Sequence, residues 1–252
     1  MAAAGRHACG PAEQAARVDL AAAYRLAALN GWDDTIYTHI SLAVPDEPGA
    51  YLINPYGLLF EEVCASNLVK VNTRGQQLCN SPYGVNPTGF AIHGAIHAAR
   101  PDARCVLHLH TPWGMALSML SQGLLPTTQH AMRLFGRLGR HAYEGLALSA
   151  EEGQRLVARL GALDGLILEN HGTLTVGATV AEAYMLMHHL ERAAQAQLRA
   201  MAATGGAVLQ ADAALAQRTW QQWTADGQER DGDAEWPALL RRLDRLDPSF
   251  RD

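Results

Sequence analysis

The sequence has little of several things that would announce a chemistry. Only one of its 252 residues is a lysine, Lys70, so a Schiff-base mechanism would rest on that residue alone. Lys70 sits in Leu68-Val69-Lys70-Val71-Asn72, an alternating strand pattern in which an exposed lysine is expected. The four cysteines (Cys9, Cys64, Cys79, Cys105) are widely spaced and form no Cys-x-x-Cys. That pattern fits reduced thiols in a cytoplasmic protein better than a disulfide framework or a cysteine zinc site. No stretch approaches the roughly 18 uninterrupted apolar residues of a membrane span, and Met1–Gly10 has no apolar core of signal-peptide length. Basic residues are outnumbered, 20 against 25 acidic, giving a formal charge of −5 without long runs. A nucleic-acid footprint needs clustered Lys and Arg, so the charge pattern argues against that class. The expectation is a soluble cytoplasmic protein with a small-molecule substrate and neither a membrane nor a nucleic-acid partner.

What is present is a mixture of helices and strands without strict alternation. Residues 1–10 read as a disordered leader, and 11–252 as one domain with a helical extension from about 207. An Ala-rich helix is expected from Pro11 to Asn30, with Ala16, Leu20, Tyr24 and Ala27 on one stripe and Gly31 ending it. Strands follow at Thr38–Val44 and Tyr51–Ile53 around a Pro-Asp-Glu-Pro-Gly turn. A further hairpin joins Leu68–Val71 to Gln76–Leu78. Pro82–Gly89 reads as a loop, Phe90–Arg100 as a helix, Cys105–His110 as a strand and Trp113 onward as a short helix. After a loop over Gly123–His130, a strand is expected at Arg140–Tyr143 and a capped helix from Ser149 to about Leu160. Gly165–Leu168 and Thr173–Gly177 read as strands around a Glu-Asn-His-Gly turn. Thr179 caps a long helix to about Ala203, and two helices (Ala211–Ala225, Pro237–Leu246) close the chain across a charged, Gly-rich loop. This order implies an α/β sandwich with a largely antiparallel sheet.

The chemistry-bearing stretch is Cys105-Val106-Leu107-His108-Leu109-His110. Side chains alternate along a strand, so His108 and His110 share one face while Leu107 and Leu109 share the other. Two imidazoles about 7 Å apart along a strand face can close on one cation; a solvated pair is the plainer alternative. His171, in Asn170-His171-Gly172, would add a third ligand if the fold carries that turn over the strand. His93 and His97 lie four apart on one helix face, but no Glu follows His93 as the zinc-protease motif requires, and packing or hydrogen bonding is the expected role. His188 and His189 project about 100° apart on their helix, so both cannot serve one site.

Taken together, Gly89-Phe90-Ala91-Ile92-His93-Gly94-Ala95-Ile96-His97, Arg100-Pro101-Asp102, His108-Leu109-His110-Thr111-Pro112 and Asn170-His171-Gly172 resemble the class II aldolase/adducin family. Weaker similarity runs from about residue 16 to 200. The resemblance implies a three-layer α/β sandwich, its central, mainly antiparallel sheet flanked by helices, and a homotetramer with sites at subunit interfaces. It also implies a divalent metal, zinc first and Mn2+ or Fe2+ as alternatives, held by His108, His110 and His171. Three neutral imidazoles leave the cation its full charge and an open position, as catalytic zinc needs.

The departures from that family concern everything around the metal. Its sugar-phosphate aldolases carry an acidic residue four positions before the histidine matched by His93, and here that position is Gly89. Their phosphate-cradling Gly-Thr-x-Gly-Asn-x-Ser is matched by Thr35-Ile36-Tyr37-Thr38-His39-Ile40-Ser41; a Thr-Gly element by Tyr56-Gly57; a paired serine by Pro87-Thr88. His39, Gly57 and Thr88 are therefore the expected substrate-binding positions in a rebuilt pocket. The tyrosine that a neighbouring aldolase subunit supplies falls, counting from Pro126, near His130, a histidine able to do acid/base work near neutral pH. The functional expectation is a metal-dependent carbon–carbon lyase, by aldol cleavage or decarboxylation, on a non-phosphorylated hydroxy or oxo acid. A non-catalytic, adducin-like interaction protein is the alternative, and metal-dependent oxygenation on the same histidines is a third reading.

Overall fold

The computed structural model describes residues 9–145, 149–225 and 231–252. Most of the expected leader and part of the charged loop before the last helix lie outside the described residues. Seven strands form one sheet: β1 (His39–Ala43), β2 (Ala50–Ile53), β3 (Val69–Asn72), β4 (Cys105–Leu109), β5 (Leu138–His141), β6 (Gly165–Leu168) and β7 (Gly172–Gly177). Their order is β3-β2-β1-β4-β7-β6-β5. Every neighbouring pair is antiparallel except β5 with β6. β4 is the middle strand, and its register sets His39 of β1 opposite His108 and Leu174 of β7 on the other side of His108.

Helices cover both faces, so β1, β2, β4, β6 and β7 are buried on both sides. On one face Ile40, Leu42, Cys105, Leu107 and Leu109 pack under α1 (Pro11–Leu29) and α6 (Val180–Thr204). On the other, Val106, Leu166, Leu174 and Val176 meet Ile92 and Ile96 of α2 (Pro87–Ala99) and Leu156 and Leu160 of α5 (Ala150–Leu160). The result is the three-layer sandwich with a mainly antiparallel centre. The buried Tyr24 hydroxyl accepts hydrogen bonds from Ile40 N–H (2.7 Å) and Asn54 N–H (3.1 Å), tying α1 to the sheet. Two short helices, α3 (Pro112–Ser118) and α4 (Gln129–Arg133), lie against α6. Of the last two, α7 (Ala213–Thr224) contacts α4, and α8 (Glu235–Leu246) packs Trp236 and Leu243 into the α1 cluster. No helix among the described residues is long and apolar enough to cross a membrane, and the four cysteines are free thiols.

Several boundaries differ from expectation for local reasons. Helix α2 begins at Pro87, inside the expected loop, because the Asn86 side chain caps Thr88 N–H and Pro87 takes the first helical position. Thr128 caps α4 through Ala131 N–H, so His130 is helical and not in a loop. β5 ends at His141, two residues before the expected end, because its parallel pairing runs from Leu138–Gly165 to His141–Leu168. Gln76–Leu78 contributes only an isolated bridge, Val71 to Gln77. Lys70 is not exposed: its ammonium bonds Glu13 (2.8 Å) and Glu47 (2.9 Å), and Glu13 also holds Arg17.

Candidate metal centre

Two pieces of backbone make the centre. His108 is the last residue but one of the middle strand and His110 follows just past its end, and their rings stay on one side with centroids 5.1 Å apart. The facing piece is the turn between β6 and β7, closed by His171 N–H to Leu168 O (3.1 Å). Asn170 takes φ +53° there, the left-handed conformation that asparagine tolerates better than most residues. Gly172 lets the turn sit against the end of β4: a Cβ on it would stand 2.7 Å from Leu109 O and 3.2 Å from His110 Cδ2. Each residue of Asn-His-Gly thus has its own reason, and together they set the His171 ring 4.7 Å from that of His108 and 4.8 Å from that of His110.

The structure brings the three histidines together, with one ring nitrogen from each within 4.8 Å of the others. The outer nitrogens of two of them, His108 and His110, are engaged in the manner of metal-ligating imidazoles, whose second nitrogen is held by a carbonyl or carboxylate. His110 Nδ1 donates to Asp34 Oδ2 at 2.8 Å, and His108 Nδ1 meets Thr173 O at 3.2 Å. His110 Nε2 is left buried with no partner. An unpaired buried nitrogen is uncommon and calls for an explanation, and a cation bound by the three rings supplies one. Burial, and then the neighbouring imidazoles, hold His108 well below the ordinary histidine range. Burial and His110 lower His171 to about 4. Both are therefore neutral at physiological pH, the form that binds metal. The segment after His110 is fixed from α6, where Glu191, itself pushed up by burial, accepts Trp113 N–H (3.1 Å) and Gly114 N–H (2.9 Å).

Beside the three rings is a wall of further imidazoles. His39 is 3 % exposed, its ring 6.4 Å from that of His108 and 5.7 Å from that of His93, and neither of its nitrogens has a partner. Burial lowers it to about 3, so it stands neutral. Gly89 is what makes room for it: a Cβ at that position would lie 2.8 Å from His39 Cδ2 and 2.9 Å from Cγ. The side chain absent at position 89 and the imidazole at position 39 are thus two halves of one rearrangement. His93 and His97 take the hydrogen-bonding role expected of them, sharing the buried Ser41 hydroxyl at 2.6 and 2.7 Å, and the His97 ring stacks on Tyr51.

The other expected residues are distributed unevenly. Thr88 adjoins Gly89, but its hydroxyl donates to Asn86 Oδ1 (2.9 Å). Gly57 lies in an exposed turn at φ +97°, linked to the loop before α2 through Tyr56 N–H to Gly84 O. His130 stacks on His189, 5.3 Å between centroids, and not on any of the three histidines. The tyrosine that does stand at the centre is Tyr143, half exposed, with its ring 6.2 Å from that of His171. Asp34, Glu191 and Tyr143 carried no expectation, because each reaches the centre from a distant part of the sequence and none lies in a recognisable local pattern.

A model of the class II aldolase and adducin N-terminal domain matches residues 18–198. A Caulobacter vibrioides protein, named provisionally as an aldolase class 2 protein, is 49 % identical over 241 residues, 96 % of this chain and 93 % of its own. Rat alpha-adducin is 41 % identical across 93 % of this chain, which spans only 34 % of that protein. Among solved structures, an aldolase II superfamily protein from Pseudomonas syringae superposes with a TM-score of 0.92 at 44 % identity, covering 97 % of this chain and 98 % of that one. An L-fuculose 1-phosphate aldolase from Glaciozyma antarctica gives a TM-score of 0.84 at 30 % identity over 95 % and 93 %.

Proposed function

The chain belongs to the class II aldolase and adducin N-terminal domain family, and from that premise we propose that it is a metal-dependent carbon–carbon lyase acting on a non-phosphorylated hydroxy or oxo acid. The observation that carries the reading is the convergence of His108, His110 and His171, with His110 Nε2 buried and unpartnered between them. A divalent cation held there, Zn2+ first and Mn2+ or Fe2+ as alternatives, supplies Lewis-acid stabilisation of negative charge developing on a substrate oxygen. Aldol cleavage and decarboxylation leave that charge in the same place, so one centre serves either. His39, buried beside His108 with both neutral ring nitrogens unpartnered, is the candidate to meet a hydroxyl or carboxylate of the substrate. A neutral imidazole does little to balance a phosphate dianion, and Thr38 and Tyr56 stand where the family's glycine and threonine cradle elements would be. Both support a non-phosphorylated substrate. Tyr143, half exposed beside His171, carries a phenol that can protonate the carbanion carbon left when the carbon–carbon bond breaks. His130 belongs to the arrangement in which a neighbouring subunit of a homo-oligomer supplies that proton.

A second reading, a non-catalytic interaction protein, is favoured by Gly89, which removes the family's acidic partner, and by the 41 % identity to alpha-adducin. Metal analysis of purified wild-type and His108→Ala protein tests the centre, with one equivalent expected to disappear in the variant. Equal metal in the two would remove the centre from the account. Carbon dioxide release and aldehyde formation across a panel of hydroxy and oxo acids then separates the readings: turnover of at least one acid is expected, and silence throughout by metal-loaded protein selects the interaction protein.

A further inference from the structure

A second cluster lies next to the first but uses none of its ligands. His141 ends β5, Glu144 follows three residues later, and Glu152 lies in the first turn of α5. One ligand atom from each comes within 4.8 Å of the others. His141 is 6 % exposed, and its Nε2 is buried without a hydrogen-bond partner. Such a nitrogen forfeits its hydration with nothing in exchange, a loss that calls for an explanation. The side chains His141, Glu144 and Glu152 border a cavity of about 10 Å³ that also touches Tyr143 and His171. That is room for one water-sized occupant, too small for an organic ligand and suited to an ion.

We propose that His141, Glu144 and Glu152 form a second divalent-cation site, distinct from the three-histidine centre. One imidazole and two carboxylates make a mixed nitrogen and oxygen set with two negative charges, matching a divalent ion of intermediate hardness such as Zn2+ or Mn2+. Its donors are anchored independently. Parallel pairing with Leu168 fixes His141. Glu152 is placed by the Ser149 hydroxyl, which accepts its backbone N–H at 3.1 Å. Glu144 is held by Arg155, whose Nε lies 2.8 Å from Oε2, and that guanidinium balances the carboxylate until a cation takes its place. The site has a consequence for its neighbour. Tyr143 lies between two of the donors in sequence, so an ion bound there fixes both ends of the short segment that presents the phenol to His171.

The test is metal counting on the full chain, stripped with chelator and dialysed against Zn2+ or, separately, Mn2+. Wild type is expected to hold two equivalents of Zn2+. Glu152→Gln and Glu144→Gln, each checked for native circular dichroism, are expected to hold one, and His108→Ala also one, by loss of the other site. Glu144 is on the rim, so its variant keeps the test decisive if Glu152→Gln fails to fold. If both glutamine variants retain the wild-type count with either metal, the second site does not exist. If wild type holds a single equivalent that disappears in Glu152→Gln but persists in His108→Ala, the second site stands and the three-histidine reading falls.

Discussion

Gly89 and His39 should behave as a coupled pair, and the coupling can be worked from distances. A methyl group at position 89 would stand 2.8–3.0 Å from three atoms of the His39 ring, well inside the 3.5–4.0 Å at which carbon atoms attract. His39 is 3 % exposed, so its ring has no open space to move into. Overpacking a closed site costs about 1–3 kcal/mol, against which Gly→Ala in a helix gains up to about 1 kcal/mol. Gly89→Ala alone is therefore expected to destabilise by up to roughly 2 kcal/mol. In a His39→Ala background the clash is gone, and the same substitution becomes neutral or stabilising. The interaction energy across the four proteins is thus about 1–3 kcal/mol, or roughly 2–12 °C in melting temperature for a chain of this size. Urea unfolding of wild type, both single variants and the double variant, all metal-free, reads it directly. Additivity within about 0.5 kcal/mol would refute the argument that the histidine occupies the place of the absent carboxylate. Gly89→Glu should follow the same rule, tolerated only when His39 is made smaller.

Two other expectations follow from the hydrogen bonds and the buried rings. Asp34→Asn keeps the shape of the Asp34 side chain but removes the charge that orients His110, and metal affinity at the three-histidine centre should fall about 10–100-fold; an unchanged dissociation constant would make the 2.8 Å contact incidental. His97 and His189, both lowered to about 3 by burial, are neutral when folded and take up protons on unfolding below about pH 6.5. The unfolded state then binds more protons than the native state, so stability is complete above that pH and is lost as pH falls toward 3, by up to about 1.4 kcal/mol per unit for each ring. Urea midpoints of chelated protein at pH 7, 6 and 5 should show that slope, and His189→Gln should flatten it; identical slopes would mean that His189 ionises equally in both states.

Much of the architecture was legible because it rests on local rules. Alternation placed Leu107 and Leu109 opposite His108, and the turn residues around Asn170 marked where β6 ends and β7 begins. The boundaries that moved, at Pro87, Thr128 and His141, were decided by a cap or by a pairing partner that a linear reading does not display. The site divides the same way. The three histidines stand out because two share a strand face and the third sits in a turn with a recognisable composition. Asp34, 76 positions from its partner His110, and Tyr143, whose place depends on where β5 stops, have no such signal. His39 shows the limit most clearly: its sequence position was noticed, yet its meaning depends on Gly89, fifty residues away, which matters through the atoms it lacks.

The central position of β4 also dictates when the centre can exist during folding. Its two neighbours, β1 and β7, join it from more than sixty residues away on either side, so both pairings require the closure of long loops and form slowly. His108 and His110, two residues apart, are already a weak bidentate trap in the unstructured chain, whereas His171 arrives only with β7. A metal ion present during refolding would therefore hold the nascent chain first by two rings and gain the third late, which makes full affinity a marker of completed sheet assembly. Any affinity of the unfolded chain for the ion correspondingly subtracts from the stabilisation that binding gives the native state.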